Sequence, residues 1–184
     1  MIHLLDPHTK IKEYINTTSR STNWSRGLSP FLLGPVELYN GMISLNVENA
    51  WQFSKVYKEY TNNNEDPTPE YFNWANKGWN SKFAYRYPLG KGRKPLYSWW
   101  NGEKLDYITA RKKIYYPLYS KTVEKTESYK ILEKMYKETG ELWLWDFDCY
   151  DHRKLNMNYD DVLNCPNRKM GHAFVLAMML EGHK

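Results

Sequence analysis

The segment of residues 28–57 constrains the fold more than any other part of the sequence. It holds an Asn40-Gly41 pair between two apolar runs, and this dipeptide is the strongest short signal for a β-hairpin. Asn46 follows the second run and is a good N-cap residue, so we expect a helix to begin directly after it. The sequence therefore predicts a hairpin that leads straight into a helix.

The predicted helix carries a mixed polar and aromatic face. Trp51, Gln52 and Lys55 follow Glu48 at spacings of three, four and seven, and 3.6 residues per turn place all four on one side. A face that only packed against a core would be apolar, so the pattern indicates a site. The alternative is a carboxylate at a helix start without chemistry, beside a solvated Lys55 that lies over Trp51.

Composition narrows the class of protein. The length of 184 residues predicts one domain spanning 1–184. The aromatic share of 16%, with eight Trp and sixteen Tyr, fits either a Tyr-rich core or rings that stack on a planar ligand or on bases. A net charge of +5 favours an anionic partner such as a nucleotide or a nucleic acid.

Several function classes have no support in the sequence. Neither an apolar run of membrane-spanning length nor a signal peptide is present, and two Cys favour free thiols in a reducing compartment. These features predict a cytoplasmic protein without membrane contact. No segment has the spacing of a dedicated metal loop, a nucleophile elbow or a Rossmann glycine pattern, so we expect no metal and no cofactor.

The order of the remaining patterns predicts an α+β fold, with helices covering a small sheet. The pattern-based elements are helices from Thr68 to Gly78, from Asp106 to Tyr116 with a kink or end at Pro117, and from Lys121 to Thr139, a strand from Leu142 to Cys149, a polar loop over 150–169 and a buried closing helix from Met170 to Leu180.

Asp146 and Asp148 form a second candidate constellation, with Asp151 nearby. If the strand extends through them, both carboxylates lie on one strand face, where an inward carboxylate needs a partner or a function. The alternative is that the strand ends at Trp145 and that the carboxylates belong to a turn.

A basic aromatic segment forms the third constellation. Five cations fall within thirteen residues that contain no acid, and aromatic residues lie between and after them. Cations hold phosphates and aromatic faces stack on bases, so this pattern fits nucleic acid. The alternative is a solvated loop held by aromatic packing. The cations are Lys82, Arg86, Lys91, Arg93 and Lys94, and the aromatic residues are Phe83, Tyr85, Tyr87, Tyr97, Trp99 and Trp100.

Three pieces of the sequence together resemble the NADAR superfamily. They are LSPF at Leu28–Phe31, NVENAWQFSK at Asn46–Lys55, and KMGHAFVLAMML near the end. Members typically show LSNF, S-x-E-H-A-Y-Q-A-x-K and N-x-L-G-x-x-L-M. The middle motif keeps the Glu, Ala, Gln and Lys in register with Trp51 in place of Tyr, and Gly171 fits the last motif. The chain as a whole resembles NADAR-like proteins of large tailed bacteriophages more than it resembles the cellular enzymes.

The resemblance implies a compact, helix-rich α+β fold and N-glycosidase activity. The implied substrates are phosphorylated ribosylamino compounds or ADP-ribosylated guanine in nucleic acids. It also implies Glu48 as the catalytic carboxylate and Lys55 as its partner in the site. A phage-encoded relative would act against host defence in the host cytoplasm. Oligomeric state does not follow from the sequence.

Cleavage of an N-glycosidic bond develops positive charge on the ribose, which carboxylates stabilise. We therefore expect Glu48 as general base or charge stabiliser and Asp148 as a second carboxylate, while Lys55 is alternatively a Schiff-base nucleophile. The rival hypothesis is a non-catalytic binder of an ADP-ribose-derived nucleotide or of nucleic acid. The expected ligand-binding residues are Trp51 as stacking plate, Arg26 or Arg86 for phosphates, and Ser29, Phe31, Trp99, Trp100, Asp146 and Gly171.

Overall fold

The computed structural model describes residues 1–9 and 13–183. The strands in this part of the chain are β1 (Ile2–Leu4), β2 (Ile15–Asn16), β3 (Val36–Glu37), β4 (Ile43–Ser44), β5 (Lys55–Val56), β6 (Tyr97–Trp100), β7 (Glu103–Leu105) and β8 (Leu142–Trp145). The α-helices are α1 (Val47–Gln52), α2 (Pro69–Trp79), α3 (Tyr107–Ala110), α4 (Tyr116–Val123), α5 (Glu127–Thr139), α6 (Tyr159–Asn164) and α7 (His172–Leu180). A π-helical turn, Arg111–Tyr115, joins α3 to α4.

This mixture of helices and small sheets agrees with the predicted α+β class. The chain forms two compact units, of which the first contains residues 1–32 and 119 onward and the second contains residues 33–118. The prediction of one domain over 1–184 stays a prediction. Among the described residues, no helix is both long enough and apolar enough to cross a membrane.

The first unit is built on a parallel sheet in the order β1-β8-β2. Leu144 on the central strand β8 aligns with Leu4 on one side and Ile15 on the other. Helix α7 contacts β1, and nearly all of its residues are buried because its sequence is apolar on every side. The prediction of a buried closing helix is confirmed.

The second unit begins with the predicted hairpin and helix. Strands β3 and β4 pair antiparallel, and both Asn40 and Gly41 have positive φ, at 51° and 73°. Positive φ at two successive turn residues is the geometry that an Asn-Gly pair favours. The Asn46 side chain then accepts a 2.7 Å hydrogen bond from the Asn49 backbone and caps α1. Both local predictions are confirmed.

The core of the second unit joins α1, α2 and the antiparallel sheet β5-β6-β7. Helix α2 starts at Pro69 after Thr68, as predicted. The prediction that Gly78 stops this helix is wrong, because Gly78 lies inside it. A Cβ at Gly78 would lie 2.2 Å from the ring of Phe53, so the glycine is needed for close packing between α2 and the end of α1.

Two predicted helices have different bounds in the structure. Helix α1 ends at Gln52, and Lys55 lies on strand β5 instead of on the helix. Pro117 does not end its helix, because α4 runs through it after the π-helical turn. Proline lacks an N–H group, and a π-helical turn next to it is one way for a helix to absorb the lost hydrogen bond.

Three further predictions need correction in the first unit. The helix predicted over Lys121–Thr139 is interrupted, because α4 ends at Val123 and Thr126 caps the start of α5. The stretch 150–169 is not all loop, since it contains α6. Strand β8 ends at Trp145, so the interpretation that placed Asp146 and Asp148 in a turn is the correct one.

Candidate active site

A hydrogen-bonded chain of three side chains runs from α1 to β5. Gln52 Nε2 donates to Glu48 Oε1 at 2.9 Å, and Lys55 Nζ donates to Gln52 Oε1 at 2.8 Å. Glu48 is only 6% exposed and Gln52 8%. The Gln52 amide therefore connects a buried carboxylate to an ammonium group.

Lys55 reaches this position although α1 ends before it. The turn after Gln52 brings the chain into β5, where Lys55 pairs with Ser98 of β6. The Lys55 ammonium lies 4.9 Å from the centre of the Trp51 ring. A cation over an indole face is electrostatically favourable. The predicted grouping of acid, amide, aromatic ring and cation is present, but Lys55 lies on strand β5 and not on the helix.

The Trp51 ring of α1 packs beside Tyr107 of α3 and Tyr115 of the π-helical turn. We call these three rings, with Lys55 and Arg111, the Trp51 wall. The centre of the Trp51 ring lies 5.3 Å from Tyr115 and 6.4 Å from Tyr107. Arg111 is 2% exposed, and its guanidinium lies 4.7 Å from the centre of the Tyr107 ring. The wall thus combines three aromatic rings with two cationic side chains, Lys55 and Arg111.

Arg111 was not predicted from the sequence as a site residue. It opens an Arg-Lys-Lys run, and such a run is normally a solvated face. Arg111 is buried while Lys112 and Lys113 are exposed, and it lies at helical spacings of three and four from the buried Ile114 and Tyr115. The signal in the sequence was the apolar spacing of Ala110, Ile114 and Tyr115, which places Arg111 on the buried face.

Next to Glu48, Asn49 fixes the start of the basic aromatic segment. Its Nδ2 group donates to the carbonyl oxygens of Gly78 at 3.0 Å and Phe83 at 2.7 Å, and its Oδ1 accepts from the Tyr85 backbone at 2.9 Å. Asn49 has no exposed surface. The short helix α1 therefore positions both the buried carboxylate and this segment.

The other predicted residues of the second unit have packing roles. Trp100 packs edge-on against Tyr39 with ring centres 5.0 Å apart, and Trp99 packs edge-on against Phe72 at 6.2 Å. The Arg86 guanidinium lies 5.4 Å from the centre of the Tyr87 ring. The Tyr39 hydroxyl is buried, and this burial raises its pKa to about 12.

Three predicted ligand-binding residues lie near the 3₁₀ turn Trp24–Leu28 in the first unit. Arg26 is exposed and Phe31 is half-buried. Ser29 is buried, and its hydroxyl oxygen accepts from the Phe31 backbone at 3.3 Å. The LSPF segment is thus a turn stabilised by its own serine.

Asp146 caps helix α7. Its Oδ2 accepts from the Ala173 backbone at 2.9 Å and lies 3.2 Å from His172 Nδ1, while its Oδ1 accepts from the Asp148 backbone at 2.7 Å. A Cβ at Gly171 would lie 2.2 Å from the Asp146 carboxylate. Gly171 is therefore required to admit the capping carboxylate, which gives both predicted residues a structural role.

Asp146, His172 and Thr17 lie side by side in the order acid, imidazole and hydroxyl, as in a catalytic triad, but their hydrogen bonds differ from those of a triad. Thr17 is fully buried, and its hydroxyl donates to the Trp145 carbonyl at 3.0 Å. His172 Nε2 lies 2.9 Å from the Thr17 carbonyl oxygen, which can only accept, as well as 2.8 Å from the hydroxyl. The ring is therefore oriented to donate, as expected for a hydrogen-bonded core histidine rather than a base.

Asp148 and Cys149 complete the turn after β8. Asp148 lies 4.0 Å from Lys169 Nζ and is partly exposed. Burial raises the pKa of the Cys149 thiol well above its ordinary value, which disfavours the nucleophilic thiolate. Within residues 1–9 and 13–183, no group of three or more His, Cys, Asp or Glu residues could hold a metal ion.

The predicted residues therefore fall into two groups, one in each unit. Glu48, Trp51 and Lys55 come together in the second unit. Asp146 and Gly171 come together in the first. The catalytic and ligand-binding roles expected for all of them, and for Asp148, Arg26, Ser29, Phe31, Arg86, Trp99 and Trp100, stay predictions.

The model of DUF6939, a family of unknown function, matches residues 3–165. No curated protein and no solved structure matches the chain.

Proposed function

This chain belongs to the DUF6939 family, and we propose that it is an N-glycosidase that cleaves a ribosyl–base or ADP-ribosyl–guanine bond. The observation that supports this proposal most is the buried Glu48 carboxylate, held by Gln52 beside the Trp51 wall. A buried carboxylate in one fixed position is suited to stabilise positive charge that develops on a ribose. The motif that resembles the NADAR superfamily contains the same residues.

In the proposed reaction, the bond between C1″ of the ribose and the base nitrogen breaks. The electron pair leaves with the base, which takes up a proton, and water adds to C1″ and loses a proton. Glu48 stabilises the oxocarbenium-like ribose or accepts the proton from the attacking water. The Trp51 face stacks on the departing base, and the cations Lys55 and Arg111 attract a phosphorylated substrate to this wall.

The contacts of Lys55 favour a binding role over covalent catalysis. Its Nζ donates to Gln52 and lies over the Trp51 ring, and both contacts stabilise the ammonium form. A Schiff base requires the neutral amine as nucleophile. Borohydride added during turnover should therefore leave Lys55 unmodified, and a reduced ribosyl adduct on Lys55 would show that it is the nucleophile.

The activity can be tested with a panel of substrates. The protein is incubated separately with an ADP-ribosylated guanine oligonucleotide, a phosphorylated ribosylamino compound and NAD⁺, and the products are identified by mass spectrometry. We expect release of the free base with a ribosyl product from one of them. The test variant is Glu48→Gln. Its matched control is Glu70→Gln, because Glu70 is also a first-turn carboxylate but is exposed on α2.

A non-catalytic binder is the rival function, and the same panel distinguishes it. Binding of ADP-ribose or of the modified oligonucleotide without any product, and with equal affinity in Glu48→Gln, would contradict the N-glycosidase and support the binder. Failure to bind or convert any compound in the panel would contradict both the N-glycosidase and the binder.

A further inference from the structure

The segment Lys82–Lys94 forms a surface with chemistry that the proposed N-glycosidase does not use. We call it the basic aromatic loop. It carries five cations and no acid. Four of these cations, Lys82, Lys91, Arg93 and Lys94, are exposed. The density of like charge is high for a surface whose only function is to be solvated.

Aromatic rings on the same loop also face solvent. Phe83 is 76% exposed and is the most exposed large apolar side chain in the described part of the chain. Tyr85 and Tyr87 are 43% and 39% exposed. Leaving a phenyl ring in water forgoes the free energy of burying it, and three exposed rings within five residues point to a surface that is covered by a partner.

The loop is held in place although it contains no regular secondary structure. The buried side chain of Asn49 binds the backbone at Phe83 and Tyr85, and the Tyr85 ring packs edge-on against Phe53 at 6.1 Å. Two residues beyond its far end, the Leu96 backbone donates to the Val56 carbonyl at 2.8 Å. Fixed ends reduce the conformational entropy that the loop would lose on binding a partner.

Charged neighbours reduce the positive field only in part. Arg93 forms an ion pair with Glu59, and the Arg86 side chain is half-buried. The charge available to an anionic partner therefore comes mainly from Lys82, Lys91 and Lys94, which lie on both sides of the exposed rings in the sequence.

We propose that the basic aromatic loop binds single-stranded nucleic acid, with the Phe83 ring stacking on a base and the three lysines contacting phosphates. Stacking requires a base that is free of its duplex neighbours, so a single strand fits this surface better than a duplex. The proposal concerns an unmodified strand and does not depend on the glycosidase chemistry.

An anionic membrane surface is less compatible with the loop. Membrane-binding segments usually gather their apolar side chains on one face of an amphipathic helix. Here the chain adopts no helix between residues 81 and 96, and apolar rings alternate with cations along the sequence. Alternation suits a ligand in which bases and phosphates also alternate.

The binding test uses fluorescence anisotropy with a fluorescein-labelled oligo-dT, its oligo-rU equivalent and a duplex of the same length. We expect both single strands to bind more tightly than the duplex, and a difference between dT and rU identifies the natural strand. Phe83→Ala should lose roughly 5- to 100-fold in affinity. Phe147→Ala is the matched control, because Phe147 is also an exposed phenylalanine, at 40%.

Salt dependence tests the lysines. For wild type, the logarithm of the affinity should fall linearly with the logarithm of salt concentration, and the Lys91→Gln/Lys94→Gln variant should reduce that slope by roughly 1.4. Lys121→Gln/Lys125→Gln removes the same charge from exposed positions elsewhere and should keep the wild-type slope. The folding of each variant is checked by circular dichroism and thermal unfolding.

The outcomes separate clearly. Loss of affinity in Phe83→Ala and in the Lys91/Lys94 variant, but in neither control, supports the proposal. An equal loss in Lys121→Gln/Lys125→Gln would mean that net charge alone drives binding, and an equal loss in Phe147→Ala would mean that the Phe83 ring has no specific contact; either result would overturn it. Binding to vesicles of anionic phospholipid without binding to either single strand would also overturn it. None of these results depends on whether the protein releases a base from any substrate.

Discussion

Asn49 donates a 2.7 Å hydrogen bond from its side-chain amide to the carbonyl oxygen of Phe83. The same amide group accepts from the Tyr85 backbone, so one buried side chain satisfies several backbone groups of a loop without regular structure. Because Asn49 directly follows Glu48 on α1, the position of the buried carboxylate and the position of the basic aromatic loop depend on the same short helix.

Replacing Asn49 by alanine should loosen this loop and destabilise the protein. The change removes hydrogen bonds to Gly78, Phe83 and Tyr85, and at about 1 kcal/mol each the free energy of unfolding should fall by about 2 to 4 kcal/mol. Urea unfolding measures the loss, and limited trypsin digestion should cut faster at Lys82. Asn80→Ala, which removes an exposed amide on the same unit, should cost well under 1 kcal/mol.

Gly171→Ala should destabilise the first unit because the new methyl group would overlap the carboxylate of Asp146. The Cβ would lie 2.2 Å from Asp146 Oδ2, so the carboxylate must move away from the Ala173 N–H that it accepts from. Loss of this cap together with the strain should cost about 2 to 4 kcal/mol in unfolding free energy.

A double-mutant cycle identifies the cause of that loss. If the clash with Asp146 is responsible, Gly171→Ala should cost less than about 1 kcal/mol when it is made in the Asp146→Ala protein. Equal costs in the two backgrounds would mean that Gly171 is needed for its own backbone and not for the carboxylate.

Structural features that depend on residues close together in the sequence could be predicted. Asn46 and Asp106 start helices because their side chains accept from free N–H groups of the first turn, and Thr68 precedes α2 at the predicted position without such a bond. The turn at Asn40-Gly41 depends only on the backbone freedom of those two residues. Each of these predictions is confirmed.

The roles of residues that contact a group far away in the sequence could not be predicted. Gly78 and Gly171 were expected to serve a helix end and a ligand, but each makes room for a group far away in sequence, the Phe53 ring or the Asp146 carboxylate. These roles exist only after the chain has folded.

The grouping around Glu48 is an intermediate case. Helical spacing predicted that Lys55 would lie with Gln52, and the two side chains are hydrogen-bonded at 2.8 Å. The helix, however, ends at Gln52. The prediction of the contact is confirmed while the predicted backbone is wrong, because a turn into β5 brings a long lysine side chain back to the same place.

His152 should make the stability of the protein depend on pH. Burial lowers the pKa of His152 below its ordinary value of 6.5, and the Arg153 guanidinium lowers it further, against the opposing carboxylates of Asp151 and Glu181. The unfolded chain therefore binds the proton more tightly than the folded protein. Above about pH 6.5, His152 does not lower the free energy of unfolding. Below this pH, the free energy of unfolding decreases as the pH falls through the lowered pKa of the folded state, by at most about 1.4 kcal/mol per pH unit.

The variant His152→Phe removes this proton while keeping a ring to stack on Tyr159, whose ring centre lies 5.0 Å away. Urea unfolding between about pH 5 and pH 7.5 should give a flatter profile for the variant than for wild type. If the two profiles have the same slope below pH 6.5, His152 does not cause the acid sensitivity.

The single-turnover rate of base release by Glu48→Gln is the most direct test of a catalytic carboxylate on α1. Glutamine keeps the size of the side chain and can still accept from Gln52, so binding of the ADP-ribosylated guanine oligonucleotide and the free energy of unfolding should stay close to wild type. We predict that the rate falls at least about a hundredfold, whereas Glu70→Gln keeps the wild-type rate. A Glu48→Gln rate within about threefold of wild type would contradict the assignment of Glu48.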